Sequence, residues 1–328
     1  MIGSFPEWGE TEIEDKAAFA EFATREPPVT SELSFENLYV WRLSHNLKLT
    51  VLDGALCALA SPEGQSPFLL PPIAAEDAGG VVLRLFDHLS RQGVEPTLQR
   101  TPEGFARRLT AGLASRTPAF RIEPDRDNFD YVYLGADLIN LGGRKYHRKR
   151  NQIAQFKSRH TYEYRRITPD LLPLCVELQT AWCDMRDCFI PENAGLAEEN
   201  QAVLEALQNY EGLDLVGGAI LVDGRVEAFT IGGELNRDTF VIHFEKGNPR
   251  IPGIYQVVNQ EFCADACRGY KFVNREQDLG DPGLRQAKMS YYPHHMIEKY
   301  TISLDPARTL DSLDSFDSSN NREDKCTT

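Results

Sequence analysis

No apolar run in this 328-residue chain approaches the roughly 20 residues that a bilayer-spanning helix requires; stretches such as "LDLVGGAILV" are among the longest. A protein wholly embedded in a membrane is therefore excluded. The opening "MIGSFPEWGETEIEDK" lacks a basic start followed by an apolar core, so it is not read as a secretory signal and a cytoplasmic location is expected. Cysteine is scarce as well: seven residues without regular spacing do not make a disulfide framework. Cys183/Cys188 and Cys263/Cys267 are the only close pairs. The second pair lies one helical turn apart in an apolar segment, which fits buried thiols, and no metal site is expected. Positive charge is in deficit, with 35 Lys and Arg against 49 Asp and Glu and a formal net charge of -14. That balance argues against a surface coated with nucleic acid.

What is present fits a soluble globular protein, with 41% hydrophobic and 26% charged residues. The length favours two domains that share an interface. The scarce cations are segregated: residues 144–166, "RKYHRKRNQIAQFKSRHTYEYRR", hold nine Lys or Arg against the single acid Glu163. Such a cluster is either a solvated helix face or the seat of an anionic ligand. The final stretch, residues 305–328, is polar, rich in Ser and Asp and aperiodic, and is expected to be a disordered tail.

The second half gives a definite order of elements. "YEYRRIT" reads as a strand, "PDLLPLCVELQTAWCDMR" and "LAEENQAVLEALQNY" as helices. Three strand-like runs follow, turning at Asp223-Gly224 and Asn236-Arg237. "PGIYQVVNQEFCADACRGY" is a helix, "KFVNREQ" a strand, "PGLRQAKMSYY" a short helix and "HHMIEKYTISL" a final strand. This order is similar to the acyltransferase fold called GNAT. The first half reads as hairpin, strand, helix, strand, helix and strand segments, with the hairpin turning at Asp53-Gly54, a truncated copy of the same theme. The expected class is α/β (α+β): two tandem GNAT-like domains, mixed central sheets flanked by helices, over residues 1–135 and 136–304.

In GNAT enzymes the pyrophosphate of acetyl-CoA sits on backbone N–H groups at the start of the helix after the meander, where the helix dipole favours an anion. The family pattern is Arg/Gln-x-x-Gly-x-Gly/Ala. In "RIPGIY", Arg250 and Gly253 match, but Tyr255 stands where a small residue is wanted. A glycine there is also what a plain turn would choose.

Two stretches point to a narrower group. "GLRQAKMSYYPHHMIEKY" resembles the terminal motif of the soluble catalytic domain of phosphatidylglycerol lysyltransferases, on Gly283, Leu284, Arg285, Lys288, Tyr291 or Tyr292, Pro293, Lys299 and Tyr300. "RKRNQIAQFKSRHTYEYRRI" resembles that domain's basic helix, and "SELSFENLYVWR" and "NREQDLGDPGLR" extend the likeness over most of residues 30–304. The resemblance implies a stand-alone relative whose donor is an aminoacyl-tRNA, with no further cofactor. Lipid-modifying members transfer the aminoacyl group to a lipid hydroxyl, and Fem-type relatives to an amine of a cell-wall precursor. The chain has no counterpart of the long membrane region, so the acceptor is left as an amine or hydroxyl on a small molecule, peptide or lipid headgroup. An acyl-CoA-dependent N-acyltransferase and a catalytically silent binding module are the alternatives.

An aminoacyl ester is already activated, so the protein has to align an acceptor, take its proton and steady an oxyanion. Arg285 and Lys288, one helical turn apart, are assigned to phosphate or oxyanion binding. Arg144, Lys145, Arg148, Lys149 and Arg150 are assigned to salt-sensitive attraction of the tRNA backbone. Glu276 and Asp278 alternate along "NREQD" and so are expected on one side of a strand; His243 and Glu245 do likewise in "VIHFEKG". These four form the candidate acid/base set. Tyr291 and Tyr292 are candidates for a hydroxyl in the cleft or for stacking on the terminal adenosine.

Overall fold

Two Asp-Gly pairs set the two central hairpins. Asp53 and Gly54 (φ 49° and 76°) and Asp223 and Gly224 (φ 50° and 79°) adopt the paired positive φ that a two-residue turn needs to match strand twist. The computed structural model describes residues 1–112 and 120–304; the expected tail lies outside them.

The first sheet contains β1 (Gly3–Ser4), β2 (Gly9–Glu10), β3 (Lys48–Leu52), β4 (Ala55–Ala60), β5 (Phe68–Leu69), β6 (Thr97–Pro102) and β7 (Phe120–Pro124). Helices α1 (Lys16–Arg25), α2 (Phe35–Val40), α3 (Ala78–Arg91) and α4 (Glu103–Gly112) accompany it. Then follow β8 (Asp130–Leu134), α5 (Gly135–Asn140), α6 (His147–Arg159), β9 (Tyr162–Arg166), α7 (Leu172–Met185) and α8 (Ala194–Gln208). The meander is β10 (Val216–Val222), β11 (Arg225–Asn236) and β12 (Thr239–Gly247). The chain continues through α9 (Ile254–Ala266), β13 (Phe272–Asn274), α10 (Pro282–Met289), β14 (His295–Ile297) and β15 (Lys299–Leu304). Asn236 pairs with Thr239, so the last meander turn is Arg237-Asp238, one residue later than expected.

The expected final strand is in fact two strands in different sheets. The second sheet runs β14-β8-β13-β12-β11-β10-β9, and β15 crosses into the first, between β6 and β7. In return β8, from the expected N-terminal half, inserts between β14 and β13. Two strands therefore lie across the expected boundary at residue 135.

The larger apolar cores lie between the sheets and the helices. Leu85, Phe86 and Leu89 of α3 and Leu109 of α4 bury against Leu98 and Ile302 of the first sheet. Phe35, Leu38 and Tyr39 of α2 share a core with Val203 and Leu207 of α8 and with Phe229, Ile231 and Phe244 of the second sheet. Residues of α5, α6 and α9, including Phe156, Val258 and Phe262, pack with Ile220, Phe240 and Ile242. The second sheet thus has a face toward α2 and another toward α9. Cys183 and Cys188, noted in the sequence only as a close pair, form one local disulfide, because α7 ends at Met185 and the following turn returns the chain to it. Cys263 and Cys267 are both buried as expected.

Candidate active site at the divergence of two strands

β12 and β13 pair in parallel only from Thr239↔Phe272 to Val241↔Asn274. Beyond that point the strands separate, and polar side chains occupy the gap. A bulge on β12 governs how they divide: Ile231 opposes Phe244 while Gly232 opposes Ile242, leaving His243 as the extra residue. The bulge sends Ile242 and Phe244 into different cores. His243 and Glu245 consequently do not share a site. Glu245 accepts from Arg275 Nη2 at 3.0 Å and from Asn259 Nδ2 of α9 at 3.0 Å. His243 Nδ1 instead lies 2.8 Å from Glu276 Oε1, which also accepts from Asn37 Nδ2 of α2 at 3.2 Å.

Glu276 and Asp278 do not alternate on a strand, because β13 ends at Asn274. Glu276 has φ 57°, and Asn274 Oδ1 accepts its N–H at 2.8 Å, so an Asx-type turn aims its carboxylate back at His243. Asp278 points elsewhere. Its fully buried carboxylate accepts from Tyr131 Oη, from Arg126 Nη1 at 3.3 Å and from Arg285 Nε and Nη2 at 2.8 Å each. Burial acts against its charge, but the hydrogen bonds from Arg285 and Tyr131 outweigh that and hold its carboxyl well below the usual carboxylate range. Asp278 is thus a fixed anion that anchors the loop, a poor proton acceptor near neutral pH.

The same geometry revises Arg285 and Lys288. Asp281 caps α10 through the Leu284 N–H, and Pro282 starts it, which fixes the register of the helix. Arg285 then meets Asp278 and, at 2.7 Å, Asp127. Lys288 turns inward and donates to the carbonyls of Arg275 and Gln277; burial, reinforced by Arg275, lowers its pKa to about 8. Both cations have internal partners, so they brace the loop that carries Glu276.

The basic segment is not one ionic face. Arg144 and Arg148 are exposed, Lys145 pairs with Asp137 at 3.0 Å, and Arg150 donates to the carbonyls of Leu141 and Gly143, closing the end of α5. Lys149 is buried with its Nζ 3.9 Å from the ring centroid of Tyr291. Of the two tyrosines Tyr291 is the buried one. Tyr292 lies at the surface, edge-on to Tyr146 with centroids 5.7 Å apart, and is not brought to His243 and Glu276.

Gly253 caps the start of α9 with φ 89°, but α6 covers it: a Cβ there would lie 2.7 Å from the Gln152 carbonyl oxygen and 3.1 Å from Phe156 Cβ. Tyr255 Oη donates to the Gly247 carbonyl at 2.8 Å and accepts from Trp182 Nε1 at 3.2 Å, filling the space beside that helix start. Arg250 is exposed on the preceding turn. These residues do not form the open slot that a CoA pyrophosphate requires, because a neighbouring helix occupies it.

Several site residues went unassigned in the sequence. Lys299 Nζ is fully buried and bonds both oxygens of Glu32 at 2.6 Å and Asp130 Oδ1 at 2.7 Å. Asp130 also accepts from Ser31 N–H, Ser31 Oγ and Asn274 Nδ2, and Gln277 Nε2 donates to Glu32 at 3.2 Å. Glu32 and Asn37 belong to "SELSFENLYVWR" and Arg275 to "NREQDLGDPGLR", so the polar residues within those stretches were the available signal. Among the described residues no group of three or more His, Cys, Asp or Glu is placed to hold a metal ion, and no helix is long and apolar enough to cross a membrane.

Two mixed sheets flanked by helices, opening at a diverging parallel pair, define a GNAT-like α/β protein. Residues 24–303 match the family described as phosphatidylglycerol lysyltransferase, C-terminal, and the chain belongs to that aminoacyltransferase-like family. A conserved protein of unknown function from Bacteroides thetaiotaomicron is 33% identical, covers 93% of this chain and 100% of its own, and superposes with a TM-score of 0.83. L-PGS from Bacillus licheniformis shares the fold at 16% identity, over 94% of this chain and 95% of its own, with a TM-score of 0.63. FemX does so at 8% identity, over 91% and 97%, with a TM-score of 0.55. No curated protein matches the sequence.

Proposed function

We propose that the protein is a cytoplasmic aminoacyltransferase that moves an aminoacyl group from aminoacyl-tRNA to an amine or hydroxyl acceptor, with His243 as general base. The observation that carries the reading is the state of the imidazole. Nδ1 is held by Glu276, while Nε2 is buried and has no hydrogen-bond partner among the described residues. In the neutral ring, donation from Nδ1 to a carboxylate leaves the lone pair on Nε2, the arrangement that orients a catalytic histidine. Nε2 takes the acceptor proton as the acceptor nitrogen or oxygen attacks the ester carbonyl. The carbonyl bond to the ribose oxygen then breaks, and that oxygen leaves with the proton returned by the imidazolium. The His243 and Glu276 side chains are only 3% and 15% exposed, which keeps water from competing for the ester. Membership of the lysyltransferase family supports the aminoacyl donor, and the exposed Arg144 and Arg148 support an anionic one.

The test is incubation of tRNA charged with labelled amino acids with the protein and a cell extract, following label into lipid and water-soluble fractions. Transfer that falls at least a hundredfold in His243→Gln, with folding intact, supports the assignment. Equal transfer in the variant removes His243 as the base, and no transfer by the folded wild type favours a silent binding module.

A further inference from the structure

The opposite face of the diverging strands holds a charge imbalance that the proposed chemistry does not use. Lys149 is 8% exposed, and no ion pair or hydrogen bond to its Nζ is found among the described residues. Arg275 lies beside it, with the two cations 3.9 and 4.8 Å from the ring centroid of Tyr291. Arg275 Nη1 is buried without a hydrogen-bond partner among the described residues. Glu245, the carboxylate whose charge acts on Lys149, already has one oxygen on Arg275 and the other on Asn259. Burial, then repulsion from Arg275 and Arg148, lowers the Lys149 pKa to about 8. A buried cation left without a full counter-charge is costly unless a ligand completes it.

We infer that Lys149 and Arg275 form an anion seat for a phosphate group, next to the exposed Arg148 of α6. Unpaired donors from two sides, one on a flexible stem and one a fixed guanidinium, suit the several oxygens of a phosphate better than a single carboxylate. Exposed Arg148 and half-buried Arg275 both act on Lys149, so positive charge is gathered at one place, suited to the end of a polyanionic strand. The inference rests on the aminoacyl-tRNA reading only in naming that end as the source of the phosphate; a free phosphate offers the same chemistry.

The experiment compares wild type and Lys149→Met in thermal unfolding, with inorganic phosphate or uncharged tRNA added against chloride at equal ionic strength. The expected result is stabilisation of the wild type by phosphate, at least tenfold weaker binding in Lys149→Met, and a ligand-free variant no less stable than wild type. No phosphate effect in the wild type, or the same effect in the variant, overturns the seat. Binding of phosphate but not tRNA, lost in Lys149→Met, keeps the seat and removes the strand end as its source. Should the variant not fold, peptide mapping of the wild type decides: phosphate should protect Lys149 from amine-directed acylation, and unchanged labelling overturns the inference. Charged-tRNA transfer measured on the same samples separates the two ideas. Transfer with unchanged tRNA dependence in Lys149→Met removes the strand end as the source of the phosphate and leaves the donor assignment standing, whereas phosphate binding without transfer keeps the seat and removes the donor assignment.

Discussion

His243 Nδ1 and Glu276 Oε1 meet at 2.8 Å, although β12 and β13 stop pairing two residues before each of them. A bulge on one side and a positive-φ turn on the other bring the two groups back together. Glu276→Gln removes the anion that fixes the imidazole tautomer. Transfer should fall by about 10²–10⁴-fold, with unfolding by urea little changed. Unaltered single-turnover rates would show that the pair is structural.

Lys299 is the only cation hydrogen-bonded to two fully or nearly fully buried carboxylates among the described residues. Its substitution by methionine leaves Glu32 and Asp130 facing each other without compensation. The expected cost is about 3–5 kcal/mol in urea denaturation. A loss below about 1 kcal/mol would mean the triad relaxes or takes up protons at little expense.

Asp278 predicts a particular acid limb. Its folded pKa is depressed, so the unfolded chain binds more protons as pH falls through the ordinary carboxylate range. The stabilisation is present above that range and is lost as pH drops toward the depressed value. Asp278→Asn should lower stability at neutral pH and flatten its decline in acid, read from melting temperatures across the carboxylate range and below. A variant whose decline parallels wild type would contradict the contribution of this carboxylate.

Gly253→Ala tests whether the start of α9 is closed. Positive φ and a Cβ 2.7 Å from a backbone oxygen should together destabilise the protein by about 1–3 kcal/mol. Thermal stability unchanged by the substitution would mean that α6 moves freely away from this point.

The element order was legible because hydrophobic period and turn chemistry are local: Asp223-Gly224 and the Pro282 helix start are visible in a few residues. The candidate pair His243 and Glu276 was legible as residue types near the right strands. Its company was not, since Asn37 is 239 positions from Glu276 and nothing local joins them. Glu245 and Asp278 were misplaced for a different reason. Period-2 reasoning assumes an unbroken pleat, and the bulge at His243 and the strand end at Asn274 both break it. Nor could composition tell that Arg285 and Lys288 already have partners, because counting charges says nothing of which ones face each other.

Strand β15 fills a vacancy in the first sheet. Residues 97–102 and 120–124 sit on either side of residues 299–304 and contact each other through them. During synthesis the first sheet therefore waits, with a gap in it, until residues 299–304 have been made. Loop-closure entropy makes so distant a pairing slow, and unpaired edges in the interval are open to wrong partners. A nascent chain stalled before residue 299 should be a client for chaperones, and maturation should be a late, concerted event rather than two successive ones.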